Sequence, residues 1–436
     1  MNIAMSMLAE AGHHAGAFGL ARRLVQAGHR VVFIGLAECR AWVTAQGFEF
    51  IAFAEDLLPA GSGHNPGRSR REREKLFGEF LQRIVGGELD HCLTECQAQV
   101  LLCDTFTWYT ALRAIRLGIP TINLSVILSS RPNEIVPPIV TDAAPARSSA
   151  SRVRIRASWI GLRVKHFFTK RLASKLTGAF RAPTRMHHLI DVFRSIARQS
   201  SFPCVENETY WFGEMGPRLA LPEIVLCPRC FQFVGDPDTE RVYAGHFVDL
   251  NRVEPTLEAP ITSNGSPLVL CSLGSSATFY PHRQRFFRAI EEASRLRPDW
   301  MFVVHSSDPE YTASHTRSAN FSVYAQVPQL ELLKKASAMV THGGINSIME
   351  CIEFGVPMVI VPAMRDQPGN AARAIEHGIA RTTRMPSLTG EILAALVADA
   401  MRDDAMKSAL ARMKQAVASE SGMDKALRLI ERQVLR

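Results

Sequence analysis

The chain lacks the features that mark membrane-spanning and secreted proteins. Its 436 residues contain no apolar run near the roughly 20 residues that a membrane-spanning helix needs. The N-terminus has neither the basic segment nor the long apolar segment of a signal peptide. Nine cysteines, an odd number scattered along the chain, are typical of a reducing compartment and argue against a disulfide framework. We therefore expect a soluble, cytoplasmic protein.

Cysteine pairs at metal-binding spacing are equally scarce. Cys227 and Cys230 form a CxxC pair, but no second pair follows at zinc spacing. A structural zinc site needs four ligands. We interpret this pair as part of the packed structure and expect no metal there.

Acidic side chains are absent from residues 143–190, although the chain as a whole carries both signs of charge and a formal net charge of +8. Basic residues alternate there with aromatic and aliphatic ones, and the basic ones are Arg152, Arg154, Arg156, Arg163, Lys165, Lys170, Arg171, Lys175, Arg181 and Arg185. This basic amphipathic segment, 152–185, fits an anionic membrane surface or a solvated helical face beside a binding cleft. No nucleic-acid-binding motif accompanies it, so we expect no nucleic acid partner.

Short apolar runs alternate with helical patterns along the whole chain. Residues 2–8 and 31–36 read as strands on either side of a glycine-rich turn (11–16) and a helix, and 99–106 reads as a buried strand. The same alternation restarts at residue 266. Strands and helices that alternate with short connections predict parallel, doubly wound sheets.

The alternation divides the chain into two α/β domains of similar type. We expect an N-terminal domain over 1–250, a linker over 251–267 and a C-terminal domain over 268–420. A C-terminal helix over 421–436 is expected to pack back on the first domain. Two such domains that face each other predict a ligand cleft between the carboxyl ends of their strands.

A strand, a glycine turn and a helix follow one another in the C-terminal half. His342 ends the strand, Gly343 and Gly344 form the turn, and the helix begins near residue 345 or 346. The free N–H groups and the positive dipole end of such a helix bind anions, and the glycines let the backbone approach closely. Phosphate is the natural ligand, and Ser347 can add a hydroxyl hydrogen bond.

Further polar residues surround this turn in the predicted fold. A second Gly/Ser turn ends another strand and could bind the same diphosphate, through Ser272, Gly274 and Ser275. One helical turn beyond the first turn, Glu350 could accept from a sugar hydroxyl. A carboxylate and an amide side by side, Asp366 and Gln367, lie in a predicted loop and suit the vicinal hydroxyls of a hexose.

This ordered set resembles the C-terminal signature of the family-1 nucleotide-diphosphate-sugar glycosyltransferases, closely over about residues 327–381. The resemblance implies the GT-B fold, two facing Rossmann-like doubly wound domains, of which the first (1–250) binds the acceptor and the second (268–420) binds the nucleotide-sugar donor. It also implies a donor contact for each signature position: His342, Asn346 and Ser347 for the diphosphate, Val327, Gln329 and Glu350 for base and ribose, and Asp366 and Gln367 for the sugar.

One position departs from the family pattern. Many members carry Trp three residues before the position of Gln329, where it stacks on uracil, but this chain has Gln326. The resemblance implies a UDP-sugar, with UDP-glucose as the expected co-substrate and no other cofactor. A TDP-sugar donor remains an alternative because the stacking aromatic is missing.

Glycosyl transfer needs a base that deprotonates the attacking hydroxyl. His13 follows the first strand and Asp104 ends the strand over 99–106, so both should face the cleft. The resemblance implies that His13 is the base and that Asp104 orients it and stabilises its protonated form. His14 is the alternative base.

The resemblance implies an inverting, metal-independent displacement, in which the helix dipole and His342 stabilise the leaving diphosphate. The stretches 118–140 and 220–236 resemble the carotenoid (zeaxanthin) glucosyltransferases, which implies an apolar, lipid-like hydroxylated acceptor. Polyketide, macrolide and phenolic acceptors stay open, and we expect a monomer or weak dimer that could touch an anionic membrane through 152–185. The rival functions are a non-catalytic GT-B partner of another transferase and a sugar-nucleotide epimerase.

Overall fold

A computed structural model of the chain describes most of the sequence. The described residues are 1–58, 69–128, 131–176, 197, 210–213, 216–245, 248–257, 265–280, 282–314 and 318–435. Residues 258–264 of the predicted linker and 177–185 of the predicted basic segment lie outside this described part.

Within the described residues, seven parallel strands form the N-terminal sheet in the order β3-β2-β1-β4-β5-β8-β9. Their bounds are β1 (Asn2–Ser6), β2 (Arg30–Gly35), β3 (Glu49–Ala52), β4 (Val100–Asp104), β5 (Thr121–Ser125), β8 (Glu223–Val225) and β9 (Val242–Tyr243). A separate antiparallel hairpin joins β6 (Tyr210–Gly213) to β7 (Gly216–Leu219).

The helices of this half alternate with its strands. They are α1 (Ala11–Gln26), α2 (Arg40–Ala45), α3 (Arg70–Gly86), α4 (Glu88–Glu95), α5 (Trp108–Arg116) and α6 (Ser149–Leu176), with 3-10 helices at Ala37–Cys39 and Arg229–Phe231. The predicted glycine turn over 11–16 is wrong, because these residues are already the start of α1. Gly16 allows close approach, since a Cβ there would lie 3.3 Å from the side-chain oxygen of Asn346.

The C-terminal sheet has six parallel strands among the described residues, in the order β12-β11-β10-β13-β14-β15. These strands are β10 (Leu268–Ser272), β11 (Met301–His305), β12 (Phe321–Tyr324), β13 (Ala336–Thr341), β14 (Met358–Ile360) and β15 (Ala380–Thr382). Its helices are α7 (Arg283–Leu296), α8 (Pro309–Ser314), α9 (Gln329–Leu333), α10 (Ile345–Phe354), α11 (Gln367–Glu376), α12 (Gly390–Arg402), α13 (Asp404–Ser419) and α14 (Gly422–Val434), with 3-10 helices at Ala277–Phe279 and Met385–Ser387.

The central strands of both sheets, β4 and β10 among them, are buried on both faces, as is typical of parallel sheets. All five residues of β4 are buried, and alternate side chains enter different clusters. Leu102 packs with α1 residues on one face, whereas Leu101 and Cys103 pack with α4 and α5 on the other. The prediction of parallel, doubly wound sheets is confirmed.

Helix α14 contacts the N-terminal half of the molecule. Ala426 and Ile430 are fully buried in the cluster that contains Ile3 and Leu102. Glycine is needed where this helix begins, because a Cβ at Gly422 would lie 2.4 Å from the carbonyl oxygen of Tyr243. The chain therefore returns to its first sheet after completing the second.

No helix in the described part of the chain combines the length and the apolar character that crossing a membrane would require.

Candidate active site

A cleft of about 420 Å³ lies between the two sheets and is lined by residues of both halves. The N-terminal half contributes the start of α1 and the residues after β5, and the C-terminal half contributes the ends of β10, β11 and β13. Most predicted site residues line it: His13, Ser272, Gly274, Ser275, Val327, Gln329, His342, Gly344, Asn346, Ser347, Glu350, Asp366 and Gln367. The two others, Asp104 and Gly343, lie directly behind lining residues.

His13 and Asp104 form a hydrogen-bonded pair at the N-terminal wall of the cleft. The distance from His13 Nδ1 to Asp104 Oδ2 is 2.6 Å, and the Asp104 side chain is fully buried. Two backbone N–H groups, of Leu8 and Phe106, also donate to this carboxylate, at 3.2 and 3.0 Å. Because Nδ1 is engaged, His13 presents its second ring nitrogen, Nε2, for chemistry.

The surroundings make His13 more basic than an ordinary histidine. Burial by itself lowers the pKa of His13, but the charge of Asp104 and its hydrogen bond outweigh burial, and the pKa is raised. Glu10 and Asp366 raise the pKa further through their charges. The carboxylates around His13 therefore favour proton uptake at this residue.

The alternative base, His14, faces the protein core. Its Nδ1 lies 3.2 Å from the carbonyl oxygen of Glu10, and its ring packs beside Phe18, Phe33 and Trp42. Burial lowers the pKa of His14 to about 4. Only 2% of the residue is exposed, and it does not line the cleft.

His342 lies between two glycines of different loops. A Cβ at Gly344 would lie 2.6 Å from its Nε2, and a Cβ at Gly274, where φ is +76°, would lie 2.7 Å from its Cε1. Gly343, with φ +87°, is restricted from behind by Ile360 at 2.7 Å. Only glycine fits at these three positions without displacing the imidazole or the strand.

The start of α10 is open toward the cleft. The helix begins at Ile345, as predicted, and its N-cap residue is Gly344, which has no side chain to cap it. The positive dipole end of this helix therefore faces the cleft, where it favours an anion. Burial lowers the pKa of His342 to about 4, so the ring is neutral near pH 7 and can act as a hydrogen-bond donor without a charge.

Ser272 is held by its neighbours at the end of β10. Its Oγ lies 2.9 Å from His305 Nδ1 and accepts the N–H of Gly274 at 3.0 Å. His305, which also lines the cleft, was not identified from the sequence. The sequence signal that could have identified His305 is its position at the end of an apolar run with a strand pattern, residues 300–305.

Glu350 is the centre of a polar cluster at the other end of the cleft. Its two carboxylate oxygens accept from Arg252 and from the amide of Gln329, each at 2.5 Å. Arg252 also pairs with Glu254, which in turn accepts the backbone N–H of Leu330 at 3.0 Å. Sequence reasoning placed Arg252 in a linker and missed it, since nothing in the linker pattern indicates a site residue.

Asp366 and Gln367 lie at the start of α11 and not in a loop as predicted, because Asp366 is the N-cap residue and Gln367 the first helical residue. The Gln367 side chain accepts two backbone N–H groups, of Ala363 and Met364, and donates to the Tyr280 hydroxyl at 3.0 Å.

The Asp366 carboxylate accepts a hydrogen bond from a neighbouring amide. Asn370 donates to its Oδ2 at 2.8 Å. Burial raises the pKa of Asp366, and the hydrogen bond from Asn370 opposes this shift. The second carboxylate oxygen keeps its capacity to accept from a ligand.

Two contacts cross the cleft beside His13. Asn346 donates from Nδ2 to the carbonyl oxygen of Gly12 at 2.7 Å, and Arg365 pairs with Glu10 at 2.6 Å. The resemblance implied a phosphate contact for Asn346, whereas here its amide joins the two halves of the molecule. The N-terminal end of α1, which carries His13, is thus bonded to the C-terminal half at Glu10 and at Gly12.

Clusters with metal-ligand character are not found among the described residues. An Asp-x-Asp sequence does occur at Asp236 and Asp238, but it does not line the cleft, and both carboxylates pair with arginines, Arg229 and Arg241.

The CxxC cysteines are packed thiols. Cys227 is fully buried, and Cys230 lies 3.9 Å from the Met413 sulfur. Burial raises the pKa of Cys230 to about 12, so it stays protonated.

Comparison with known proteins identifies the same region. Residues 252–427 match the family model described as "UDP-glucoronosyl and UDP-glucosyl transferase". The NDP-glycosyltransferase YjiC of Bacillus licheniformis is 33% identical over 212 residues, which cover 48% of this chain and 52% of that protein. The chain therefore spans about half the length of this relative.

Two other proteins match over more of the chain. The zeaxanthin glucosyltransferase of Pantoea ananas is 25% identical over 379 residues, 83% of this chain and 80% of that protein. The solved glycotransferase of kitacinnamycin superposes with a TM-score of 0.68 at 25% identity and covers 99% of this chain and 98% of its own. The chain thus has the GT-B fold, and its residues 252–427 resemble the UDP-glucoronosyl and UDP-glucosyl transferases.

Proposed function

We propose that the protein transfers a hexose from a UDP-sugar to a hydroxyl group of an apolar small-molecule or lipid-like acceptor. The observation that carries this proposal is the His13–Asp104 pair, with an Nδ1–Oδ2 distance of 2.6 Å, in the wall of a cleft whose opposite wall is the start of α10. One wall supplies a base, and the other supplies N–H groups for an anion.

The reaction is a single in-line displacement at the anomeric carbon. His13 Nε2 takes the proton of the acceptor hydroxyl, and Asp104 stabilises the imidazolium that forms. The acceptor oxygen bonds to the anomeric carbon on the face opposite the departing diphosphate, so that an α-linked donor gives a β-glycoside. The N–H groups at the start of α10 and the neutral imidazole of His342 stabilise the leaving diphosphate.

The donor lies along the C-terminal wall in this proposal. Its diphosphate occupies the space beside Gly274, Gly344 and Ser347, all of which line the cleft. Its ribose hydroxyls reach Glu350, whose oxygens retain lone pairs beyond the two hydrogen bonds already formed. Its sugar hydroxyls reach Asp366.

The acceptor lies on the N-terminal wall, where Val126 and Ile127 line the cleft near His13. Apolar lining beside the base suits a hydroxyl carried by an apolar body. The relative named zeaxanthin glucosyltransferase, which aligns over most of the chain, supports an acceptor of this type.

A non-catalytic partner function has less support. Such a protein needs the fold but neither the base nor an open diphosphate site. Here Asp104 is fully buried and forms a hydrogen bond with His13 at the cleft surface. Packing of the fold does not require a histidine at this position, so the pair favours a catalytic role. An epimerase would release UDP without an acceptor.

The test of catalysis is His13→Ala, measured as UDP release in the presence and absence of a hydroxylated apolar acceptor. Loss of a general base lowers kcat by about 10²–10⁴-fold. Affinity for UDP should stay within about twofold of the parent value, because His13 lies on the opposite wall of the cleft. The control is His91→Ala, at an exposed histidine on α4. Unchanged turnover in His13→Ala would overturn the proposal.

The donor is identified separately by thermal shift with UDP-, TDP- and GDP-glucose. A nucleotide that binds the folded chain raises its melting temperature in proportion to ln(1 + [L]/Kd). We expect UDP-glucose to give the largest shift. A larger shift with the TDP-sugar would replace UDP by TDP in this proposal and leave the mechanism at His13 intact.

A further inference from the structure

Helix α6 has two opposite faces, and one of them fixes its orientation. Ile155 and Trp159 are 4% and 5% exposed, and the Trp159 indole N–H donates to the carbonyl oxygen of Val136 at 2.9 Å. Arg152 and Arg156 both pair with Glu134. These contacts hold the helix against the chain that precedes it, and the opposite face is turned outward.

The outward face carries an apolar stripe. Val153, Ile160 and Val164 are 63%, 61% and 45% exposed. At 3.6 residues per turn they lie within about 40° of one another around the helix, along about 17 Å of its length. Isolated exposed apolar residues are ordinary, but three in line on one helix face form a surface.

Basic residues border this stripe on both sides. Arg154 and Lys165 follow on one side, Arg156 and Arg163 on the other, and all four are exposed. No ion pair among the described residues involves Arg154 or Arg163, and α6 contains no acidic residue. Positive charge beside exposed apolar side chains complements a surface that is negative at its boundary and apolar beneath it.

We propose that the outward face of α6, defined by Val153, Ile160, Val164, Arg154 and Arg163, binds the surface of an anionic membrane. The three apolar side chains enter the boundary between headgroups and acyl chains, and the arginines contact lipid phosphates. This binding is peripheral and does not depend on catalysis. It extends the proposed function because an apolar acceptor dissolved in the membrane would be brought close to the cleft.

The direct test is co-sedimentation of the full chain with vesicles of phosphatidylcholine alone and with vesicles containing phosphatidylglycerol. We expect binding to the anionic vesicles only, weakened at high salt because the Debye length falls from about 10 Å at 0.1 M to about 3 Å at 1 M. If the protein stays in solution with both vesicle types, the proposal is wrong.

Two variants separate the apolar and basic contributions. In the first, Val153, Ile160 and Val164 become Gln, which forms helices at least as well as the β-branched residues it replaces. In the second, Arg154 and Arg163 become Gln, with an expected loss of about fivefold in vesicle affinity for each charge removed. Both should weaken vesicle binding and leave the melting temperature near that of the parent.

Matched controls change the same residue types on other exposed helical surfaces. The apolar control replaces Val25, Ile375 and Ile392 by Gln, and the charge control replaces Arg412 and Arg428 by Gln. Both controls should bind anionic vesicles like the parent.

Two further outcomes would overturn the membrane proposal. Equal weakening by the Arg154/Arg163 variant and by the Arg412/Arg428 control, with no weakening by the apolar variant, would show that net charge alone drives binding. Binding to a single-stranded RNA oligonucleotide that the arginine variant loses and the apolar variant keeps would assign the face to a polyanion.

Discussion

Arg365 pairs with Glu10 across the cleft at 2.6 Å, and Glu10 lies three residues before His13. Arg365 also has a φ of +60°, a left-handed conformation that non-glycine residues rarely adopt. A residue keeps such a strained backbone conformation only where its contacts stabilise it, and the contact of Arg365 is the ion pair with the other half of the molecule. The ion pair therefore sets the position of the start of α1, and with it His13, relative to Asp366 and the sugar site proposed above.

Arg365→Gly should lower kcat by about tenfold or more, because small displacements of a base from its substrate are costly. Glycine accepts the left-handed conformation without a Cβ penalty, so the melting temperature should not fall. The measurement is kcat at saturating donor and acceptor together with thermal unfolding.

The control for this ion pair is charge exchange. Glu10→Arg and Arg365→Glu should each lower kcat, and the double variant should recover part of the loss. A double variant that is worse than either single change would contradict a positioning role for the pair.

Asp104→Asn should both slow the reaction and shift its pH dependence. The base is active when neutral, so activity rises as pH passes through the pKa of His13, which lies above its usual value of 6.5 because of Asp104. Without the Asp104 charge, burial dominates and the pKa of His13 falls. The acidic limb of the kcat–pH profile should therefore move to lower pH, while kcat on the plateau falls by about 10²-fold or more.

The control for Asp104→Asn is the same substitution at another paired aspartate, Asp308→Asn. Asp308 pairs with Arg283 at 2.7 Å outside the cleft. This variant should keep the parental pH profile. If Asp104→Asn lowers kcat with no shift of the acidic limb, Asp104 does not control the protonation of His13.

Gly344→Ala should weaken donor binding strongly. The added Cβ would lie 2.6 Å from His342 Nε2, so the imidazole must move out of its position beside the diphosphate site. We expect the dissociation constant for UDP, measured by calorimetry, to rise at least tenfold. The control is Gly355→Ala at the end of α10, where φ is +68° and nothing lies within 4 Å of the new Cβ. That variant should lose about 1 kcal/mol of stability and keep its UDP affinity.

Arg252→Met should destabilise the fold and weaken nucleotide binding together. Glu350 is only 3% exposed, and removal of Arg252 leaves its carboxylate with Gln329 as the remaining side-chain partner described here. Loss of one partner of a buried ion pair costs about 3–5 kcal/mol, which denaturant unfolding would measure. Added UDP should stabilise this variant against unfolding less than it stabilises the parent. The reason is that Arg252 no longer holds Glu350 in position for the proposed contact with the ribose.

The sequence alone was enough to predict those parts of the site whose positions depend on short patterns of neighbouring residues. A strand, two glycines and a helix place His342, Gly344 and Ser347 close together at the start of α10, and a strand end places Asp104 in the sheet. Periodicity likewise predicted both parallel sheets, since a buried parallel strand and an amphipathic helix differ clearly in their apolar spacing.

The missed parts depend on contacts between distant segments. Arg252 meets Glu350 across 98 positions of sequence, and Arg365 meets Glu10 across 355. No local pattern encodes such pairs. The start of α1 was missed for the same reason, because Gly12 and Gly16 look like a turn until Asn346 of the other half is placed against them.

Helix α14 has a practical consequence for building hybrid enzymes. Its buried residues Ala426 and Ile430 complete the apolar cluster of the first sheet, although they lie at the end of the chain. A single crossover near residue 250 would pair the first sheet with a foreign last helix, and Gly422 would no longer meet the Tyr243 carbonyl for which it leaves room. An exchange of donor specificity between relatives therefore calls for two junctions, the second of them ahead of Gly422.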